Sequence, residues 1–203
     1  MPEFFVQADG WCRGATRYTS PHCDARAPGS DIDLLLIHNI SLPAGNFQGH
    51  HVADLFTGRL DYNADPSFAS LRGLQVSAHF FVRRDGRVMQ FVSANERAWH
   101  AGESAFQGRA QCNQFSIGIE MEGADFIAFT PAQYAALAAL TLALQRRYRL
   151  AAVCGHEHVA PGRKTDPGPF FDWHHYRETW QGLLACAPKL VLTHRELRFP
   201  TMR

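Results

Sequence analysis

The sequence predicts an α/β (α+β) fold, a single domain with a mixed central β-sheet flanked by helices, and three features carry that expectation. The continuous apolar run "IDLLLI" at 32–37 has the composition of a strand covered on both faces. Two further apolar runs, "SAHFFV" and "RVMQFV", lie on either side of Arg83-Arg84-Asp85-Gly86, whose Asp-Gly pair marks a tight turn. The segment "TPAQYAALAALTLALQRRYRL" is long, rich in helix formers and free of internal breakers.

Each element follows in chain order. The first run is short enough to be a buried strand, and the two runs around the Asp-Gly turn read as a hairpin. "FSIGIEME" alternates, so Ile117, Ile119 and Met121 share one face while Gly118, Glu120 and Glu122 share the other. Thr130 can cap the long helix and Pro131 suits its first turn. Its apolar content implies one face packed hard on the sheet. "AAVCG" is a last short strand, delivering the chain into "HEHVAPGRKTDPGP" at 156–169, where prolines and glycines exclude a long helix or a central strand. Two other stretches, 41–51 and 101–113, are rich in turn formers. No repeat or linker interrupts the domain, and the tail at 189–203 is expected to be peripheral.

At 203 residues and 46% hydrophobic, the chain can bury one sizeable core. Twenty basic against nineteen acidic residues leave a formal charge of +1, which offers no basic face for nucleic acid. The apolar stretch around Ala135–Leu144 is too short to span a bilayer. No charged leader precedes an apolar run at the N-terminus, so a cytoplasmic location is expected. Cys12, Cys23, Cys112, Cys154 and Cys186 form an odd set without paired spacing, which fits reduced thiols acting as small buried hydrophobes. No obligate protein partner is evident.

The chemistry gathers where strands end. His38 closes one apolar run, His156 follows "AAVCG", and Asp166 lies ten residues on in the stiff loop. Two imidazoles and a carboxylate suit a zinc ion that keeps a fourth position for water, although the spacing matches no compact zinc signature. His158 and Cys154 compete with His156 as second ligand, and alternation allows only one of the two histidines to face the site. His50-His51 and His174-His175 read as surface imidazoles, and His79 as packing or as support behind a ligand. Glu120, beside a strongly apolar strand face, is placed to be desolvated toward general-base range, but Glu122 shares its face and periodicity does not choose. Lys164 could stabilise an oxyanion beside a metal. Arg72, Arg109 and Arg163 read as solvated unless the substrate is anionic. No serine nucleophile elbow or phosphate-binding glycine loop competes.

Five ordered blocks, "LLLIHNISLPAG", "VSAHFFVRRDGRVMQFV", "RAWHAGES", "CNQFSIGIEMEG" and "GHEHVAPGRKTDPGPFFDW", together resemble the zinc N-acetylmuramoyl-L-alanine amidase type 2 family, in particular its cytoplasmic anhydro-muropeptide amidases. The likeness runs from about residue 10 to 173. It implies the mixed sheet shared with peptidoglycan recognition proteins and phage amidase-type lysozymes. It also implies one Zn2+ per chain held by His38, His156 and Asp166, with Glu120 as catalytic carboxylate and Lys164 steadying developing charge. Asn39, Trp99, His100 and Arg163 match positions near the family's substrate groove, where Trp99 would offer an apolar face to a sugar and Arg163 a fork for a carbonyl or carboxylate. The implied substrate is a small molecule, an anhydro-muropeptide cleaved between muramic acid and L-alanine during wall recycling; in some bacteria loss of the activity induces β-lactamase.

Two positions depart from the pattern. Gln75 and Gln111 stand where relatives commonly carry arginine, which removes two cations able to hold a substrate carboxylate and leaves Arg72 or Arg109 to compensate. Two other readings are weighed against this one: a non-catalytic peptidoglycan-recognition domain, which the complete ligand set disfavours, and a less selective amidase. A zinc peptidase is disfavoured because "HEHVA" lacks the second histidine of an HExxH helix.

Overall fold

The structure is a computed structural model describing residues 3–186, 192–194 and 196–200. Its centre is a six-stranded sheet. In chain order the strands are β1 (Thr16–Arg17), β2 (Leu34–Ile40), β3 (Phe80–Val82), β4 (Val88–Gln90), β5 (Ser116–Glu122) and β6 (Ala152–Gly155). Across the sheet they run β6-β2-β5-β3-β4-β1. β5 is parallel to both neighbours, β6 is parallel to β2, and only the expected hairpin, β3 with β4, is antiparallel. Gly86 makes the hairpin turn at positive φ, where an added Cβ would also meet the Ala132 carbonyl at 2.8 Å.

Helices flank the sheet on both faces. Helix α1 spans His51–Phe56, α2 Pro131–Gln145, α3 His156–Val159 and α4 Trp173–Cys186. The start of α2 is a reciprocal cap: Thr130 Oγ1 accepts from the Gln133 N–H, and Gln133 Oε1 accepts from the Thr130 N–H. Leu137, Leu140 and Leu144 of α2 bury against Leu35, Ile37, Ile117, Ile119 and Met121, with Tyr176 and Trp180 of α4 in the same core. Burying one such aliphatic side chain is worth about 1.5–3 kcal/mol, so this layer dominates the fold's stability. The opposite face of β2 and β5 carries Leu34, Leu36, Ser116 and Gly118 under the loop at 97–115. The site lies there.

Three expectations change. The strand through "IDLLLI" continues to Ile40, so His38 is inside β2 and not at its end. The tail expected to be peripheral lies partly outside the described residues, but its described part is docked. Arg198 bridges to Ala152 at the sheet edge, and Phe199 packs on Tyr176 and Trp180 with ring centroids 5.2 and 5.6 Å away. All five cysteines are free, but Cys186 is exposed and Cys23 half-buried, so only Cys12, Cys112 and Cys154 act as buried apolar filler. Among the described residues no helix is long and apolar enough to cross a membrane.

Candidate active site and metal centre

His38 and Glu120 are paired across β2 and β5, and register partners in a parallel pair point to the same face. The β6 strand enters alongside β2, and the chain turns directly into the four-residue helix α3, whose first residue is His156. Gly155 makes that turn possible, because a Cβ there would come within 2.5 Å of Pro167 Cδ. The loop then returns Asp166 to the same point, held by the Glu157 N–H donating to the Asp166 carbonyl at 3.0 Å.

Three donor atoms converge. His38 Nδ1 lies 2.9 Å from Asp166 Oδ2 and 3.1 Å from His156 Nδ1, and His156 Nδ1 lies 3.1 Å from Asp166 Oδ2. His156 Nε2 is 3.0 Å from the Ala101 carbonyl, which can only accept, so the ring donates there and turns its Nδ1 lone pair toward the cluster. Bonds of about 2.0–2.1 Å in a tetrahedron place ligand atoms about 3.3 Å apart, and the three separations lie within a few tenths of that. These residues are the one His/Cys/Asp/Glu group with metal-ligand geometry among the described residues, and they fit a divalent ion. Burial drives the His38 imidazole below its ordinary value against the pull of Asp166, favouring the neutral ring a metal requires. Burial raises the Asp166 carboxyl, but the His156 and His38 rings beside it outweigh burial and the net shift is downward.

Glu120 is buried, and its Oε2 has no hydrogen-bond partner. Burial first, then the Asp166 charge, raises its carboxyl well above the ordinary range; Lys164 opposes both. Glu122 differs. Arg83 Nε lies 3.1 Å from its Oε1, and its Oε2 accepts from the Arg84 N–H at 2.8 Å. The choice that periodicity leaves open is therefore made by partners: Glu122 ties down the hairpin, and Glu120 is unengaged. Lys164 is exposed at the rim, with its charge acting on both Glu120 and His38.

The other expected residues are distributed. His158 faces away, its Nδ1 accepting from the Gly155 N–H at 2.9 Å with its ring against Trp173, and Cys154 is buried among Leu34, Leu36 and Cys112. Asn39 points to the far face and donates to Asp125 Oδ1 at 2.7 Å and to the Pro167 carbonyl at 3.0 Å. Trp99 is half-buried and donates its indole N–H to Asp24 Oδ1 at 3.2 Å. Arg163, exposed, donates from Nη2 to the carbonyls of Ala101 and Glu103. His100 Nδ1 contacts His38 Nε2 at 3.0 Å, behind the ligand. Burial holds His100 well below its ordinary value.

His79 supports from further back, as one of its expected roles. Its Nδ1 accepts from the Gly118 N–H at 3.0 Å, and burial and Arg26 push it down to about 3. His51 meets Phe68 edge to face, His174 pairs with Glu178 on the surface, and His175 packs on Tyr134. Gln75 and Gln111 are exposed. The arginines that could replace them are engaged, Arg72 with Asn63 Oδ1 at 2.6 Å and Arg109 with Asp33 Oδ1 at 2.9 Å.

Sequence reading missed Asp125 and Arg26. Asp125 Oδ2 accepts from Thr165 Oγ1 at 2.5 Å while Oδ1 holds Asn39, so one carboxylate joins the residue after His38 to the residue before Asp166. Arg26 is an inward-turned guanidinium that donates to the carbonyls of Asn113, Gln114 and Ser116. Burial lowers it to about 10. Neither residue sits in a motif; only the three-dimensional path reveals them.

Comparison with known proteins identifies the family. The chain is 53% identical over 171 residues to the 1,6-anhydro-N-acetylmuramyl-L-alanine amidase AmpD of Citrobacter freundii, covering 83% of this chain and 91% of that one. A crystal structure of a selenomethionine AmpD derivative superposes with a TM-score of 0.84 at 51% identity, covering 86% of this chain and 99% of the other. The amidase AmiD from E. coli, in complex with anhydro-N-acetylmuramic acid-L-Ala-D-γ-Glu-L-Lys, matches with a TM-score of 0.55 at 30% identity over 86% of this chain and 65% of that one. Residues 28–169 match the Amidase_2 description, and the chain belongs to the N-acetylmuramoyl-L-alanine amidase family.

Proposed function

We propose that the protein is a zinc-dependent amidase that hydrolyses the bond between the lactyl group of 1,6-anhydro-N-acetylmuramic acid and L-alanine, in cytoplasmic recycling of wall fragments. The observation that carries this reading is the pairing of Glu120 with His38 across β2 and β5, which sets an unpartnered buried carboxylate beside a two-histidine, one-aspartate donor set. The similar proteins, AmpD and AmiD bound to an anhydro-muropeptide, supply the substrate class.

His38, His156 and Asp166 would hold the zinc. When bound, zinc polarises the scissile carbonyl and acidifies a water molecule at neutral pH. Glu120 takes the proton from the attacking water and returns it to the departing L-alanine nitrogen. A carboxyl raised by burial suits both transfers, being less reluctant to hold a proton than an exposed glutamate. Lys164, at the rim and acting on the same groups, offers its ammonium to the oxyanion formed as water adds. Trp99 supplies an aromatic wall for the sugar, its edge fixed by Asp24. Asn39 through Nδ2 and Arg163 through Nη2 act on this reading by way of the loops they hold.

The experiment compares anhydro-muramyl tripeptide with reducing muramyl tripeptide, each with and without chelator. Chelator-sensitive release of peptide, faster from the anhydro compound, is the expected result. Equal rates would keep the amidase and remove the sugar preference. Zinc bound at one per chain without cleavage of either compound would overturn the catalytic reading in favour of a recognition domain.

A further inference from the structure

The face of β5 that carries Glu120 also carries Ser116 and Gly118, four and two residues before it. The His100 ring lies over Gly118 so closely that a Cβ there would come within 2.5 Å of its Cγ and Nδ1. A side chain at position 118 would displace the ring. On the ring's far edge, Ser116 donates its hydroxyl proton to the Cys112 carbonyl at 2.7 Å, which leaves an oxygen lone pair facing His100 Nε2 at 3.4 Å. An acceptor at that edge places the ring's hydrogen on Nε2.

The consequence passes inward. His100 Nδ1 is then an acceptor, and its neighbour 3.0 Å away, His38 Nε2, must be the donor. With a cation among Nδ1, Asp166 Oδ2 at 2.9 Å and His156 Nδ1 at 3.1 Å, that leaves the His38 lone pair on Nδ1, where the ion takes the place of a proton shared with the carboxylate. His156 reaches the same state independently by donating to the Ala101 carbonyl, one residue after His100. Both ring nitrogens of His100 are engaged with protein, so the ring has no polar edge left for substrate.

We propose that His100, oriented by Ser116 and Gly118, is the positioning residue that fixes His38 in the tautomer whose Nδ1 faces the metal. The inference rests on the reading of His38, His156 and Asp166 as a zinc site, and its test separates the two. A ligand histidine whose outer nitrogen loses its partner typically binds metal 10–100-fold more weakly, as an order-of-magnitude expectation. His100→Phe keeps a flat ring over Gly118 and removes the acceptor. His100→Asn places an amide oxygen about where Nδ1 stands.

Zinc affinity is read by competition with a chromogenic chelator, and the proton positions of His38 and His100 by 15N NMR of the zinc-loaded protein, because without the ion the Asp166 carboxylate 2.9 Å from His38 Nδ1 competes for the proton. The expected result is a loss of about 10–100-fold for His100→Phe at unchanged stoichiometry, recovery to within a few-fold for His100→Asn, and a native His38 protonated on Nε2. A folded His100→Phe protein with native zinc affinity would overturn the inference, as would a native His38 protonated on Nδ1. Should His100→Phe not fold, Ser116→Ala removes the outer acceptor alone. Mixed tautomers with weaker zinc binding then support the inference, and native tautomers with native affinity refute it. A native protein that binds no zinc would sink the proposed function and this inference together, an outcome distinct from native zinc affinity in His100→Phe, which sinks this inference alone.

Discussion

Replacing Glu120 with glutamine should change activity and stability in opposite directions. The substitution keeps the side chain's shape in a site only 8% exposed and removes its charge and basicity. Loss of a positioned proton-transfer group costs about 10²–10⁴ in rate, equivalent to about 3–5 kcal/mol of barrier. The stability effect follows from the same burial. In the metal-free protein the Glu120 carboxyl is raised well above its ordinary 4.5, so the folded state holds the proton more tightly than the unfolded chain. The stability this group contributes is full below 4.5 and is lost as pH rises through the folded value. Above that window native protein carries a buried carboxylate with an unsatisfied oxygen, a penalty of about 1–3 kcal/mol. Glutamine carries no such charge. At about 2–4 °C per kcal/mol for a domain of this size, chelated Glu120→Gln should melt about 2–12 °C above native protein at pH 8. The two should converge near pH 4.5. Thermal melts across pH and turnover of anhydro-muramyl tripeptide test both halves. Near-native turnover would refute the proton-transfer role. A variant less stable than native at pH 8, with an equal gap at acid pH, would refute the burial argument.

The neighbouring carboxylate gives the complementary result. Glu122→Gln leaves Arg83 without its anion in a partly buried pair, so the melting temperature should fall by several degrees, about 3 kcal/mol or more for a broken buried pair; kcat should stay within a few-fold of native. Asp125→Ala releases both Asn39 and Thr165, two bonds of about 0.5–1.5 kcal/mol each. Because these flank His38 and Asp166, zinc should leave faster in a chelator chase while the protein remains folded. Gln111→Arg adds an exposed cation at this position; KM for a peptide with free carboxylates should fall, and the gain should shrink as salt is raised through the physiological range. An equal effect on a neutral, amidated peptide would refute a carboxylate contact.

Much of the fold was legible because its signals are local. The run at 32–37, the Asp-Gly hairpin and the Thr130-Pro131 helix start each depend on neighbours in sequence, and each forms where expected. What local pattern could not supply was path. Nothing in "IHNIS" says that β2 runs past His38, because parallel pairing with β5 extends the strand to Ile40. The choice between Glu120 and Glu122 was closed to periodicity for the same reason. Both point the same way, and only the return of Arg83 and Arg84 in the hairpin engages one of them. Asn39 and Arg163 sit in recognisable motifs, yet Asn39 Nδ2 and Arg163 Nη2 hold loops. A motif places a residue near the site without saying which way it faces.

The stiff loop at 156–169 therefore needs a broader account than its prolines and glycines. Those residues limit the conformations of the loop, but they do not choose where it docks. Docking is decided from outside: by Asp125, which grips Thr165 and the strand bearing His38; by Asn39, which holds the Pro167 carbonyl; and by the close approach of Gly155 to Pro167. Each contact joins the loop to β2, β6 or the segment after β5, the same strands that deliver His38, His156 and Glu120. A ligand set spread over 128 residues of chain can be held to a few tenths of an ångström only when its loop is pinned to the strands carrying the other ligands. The separation that hides the site from a compact metal signature is thus also what demands the latch around Asp125.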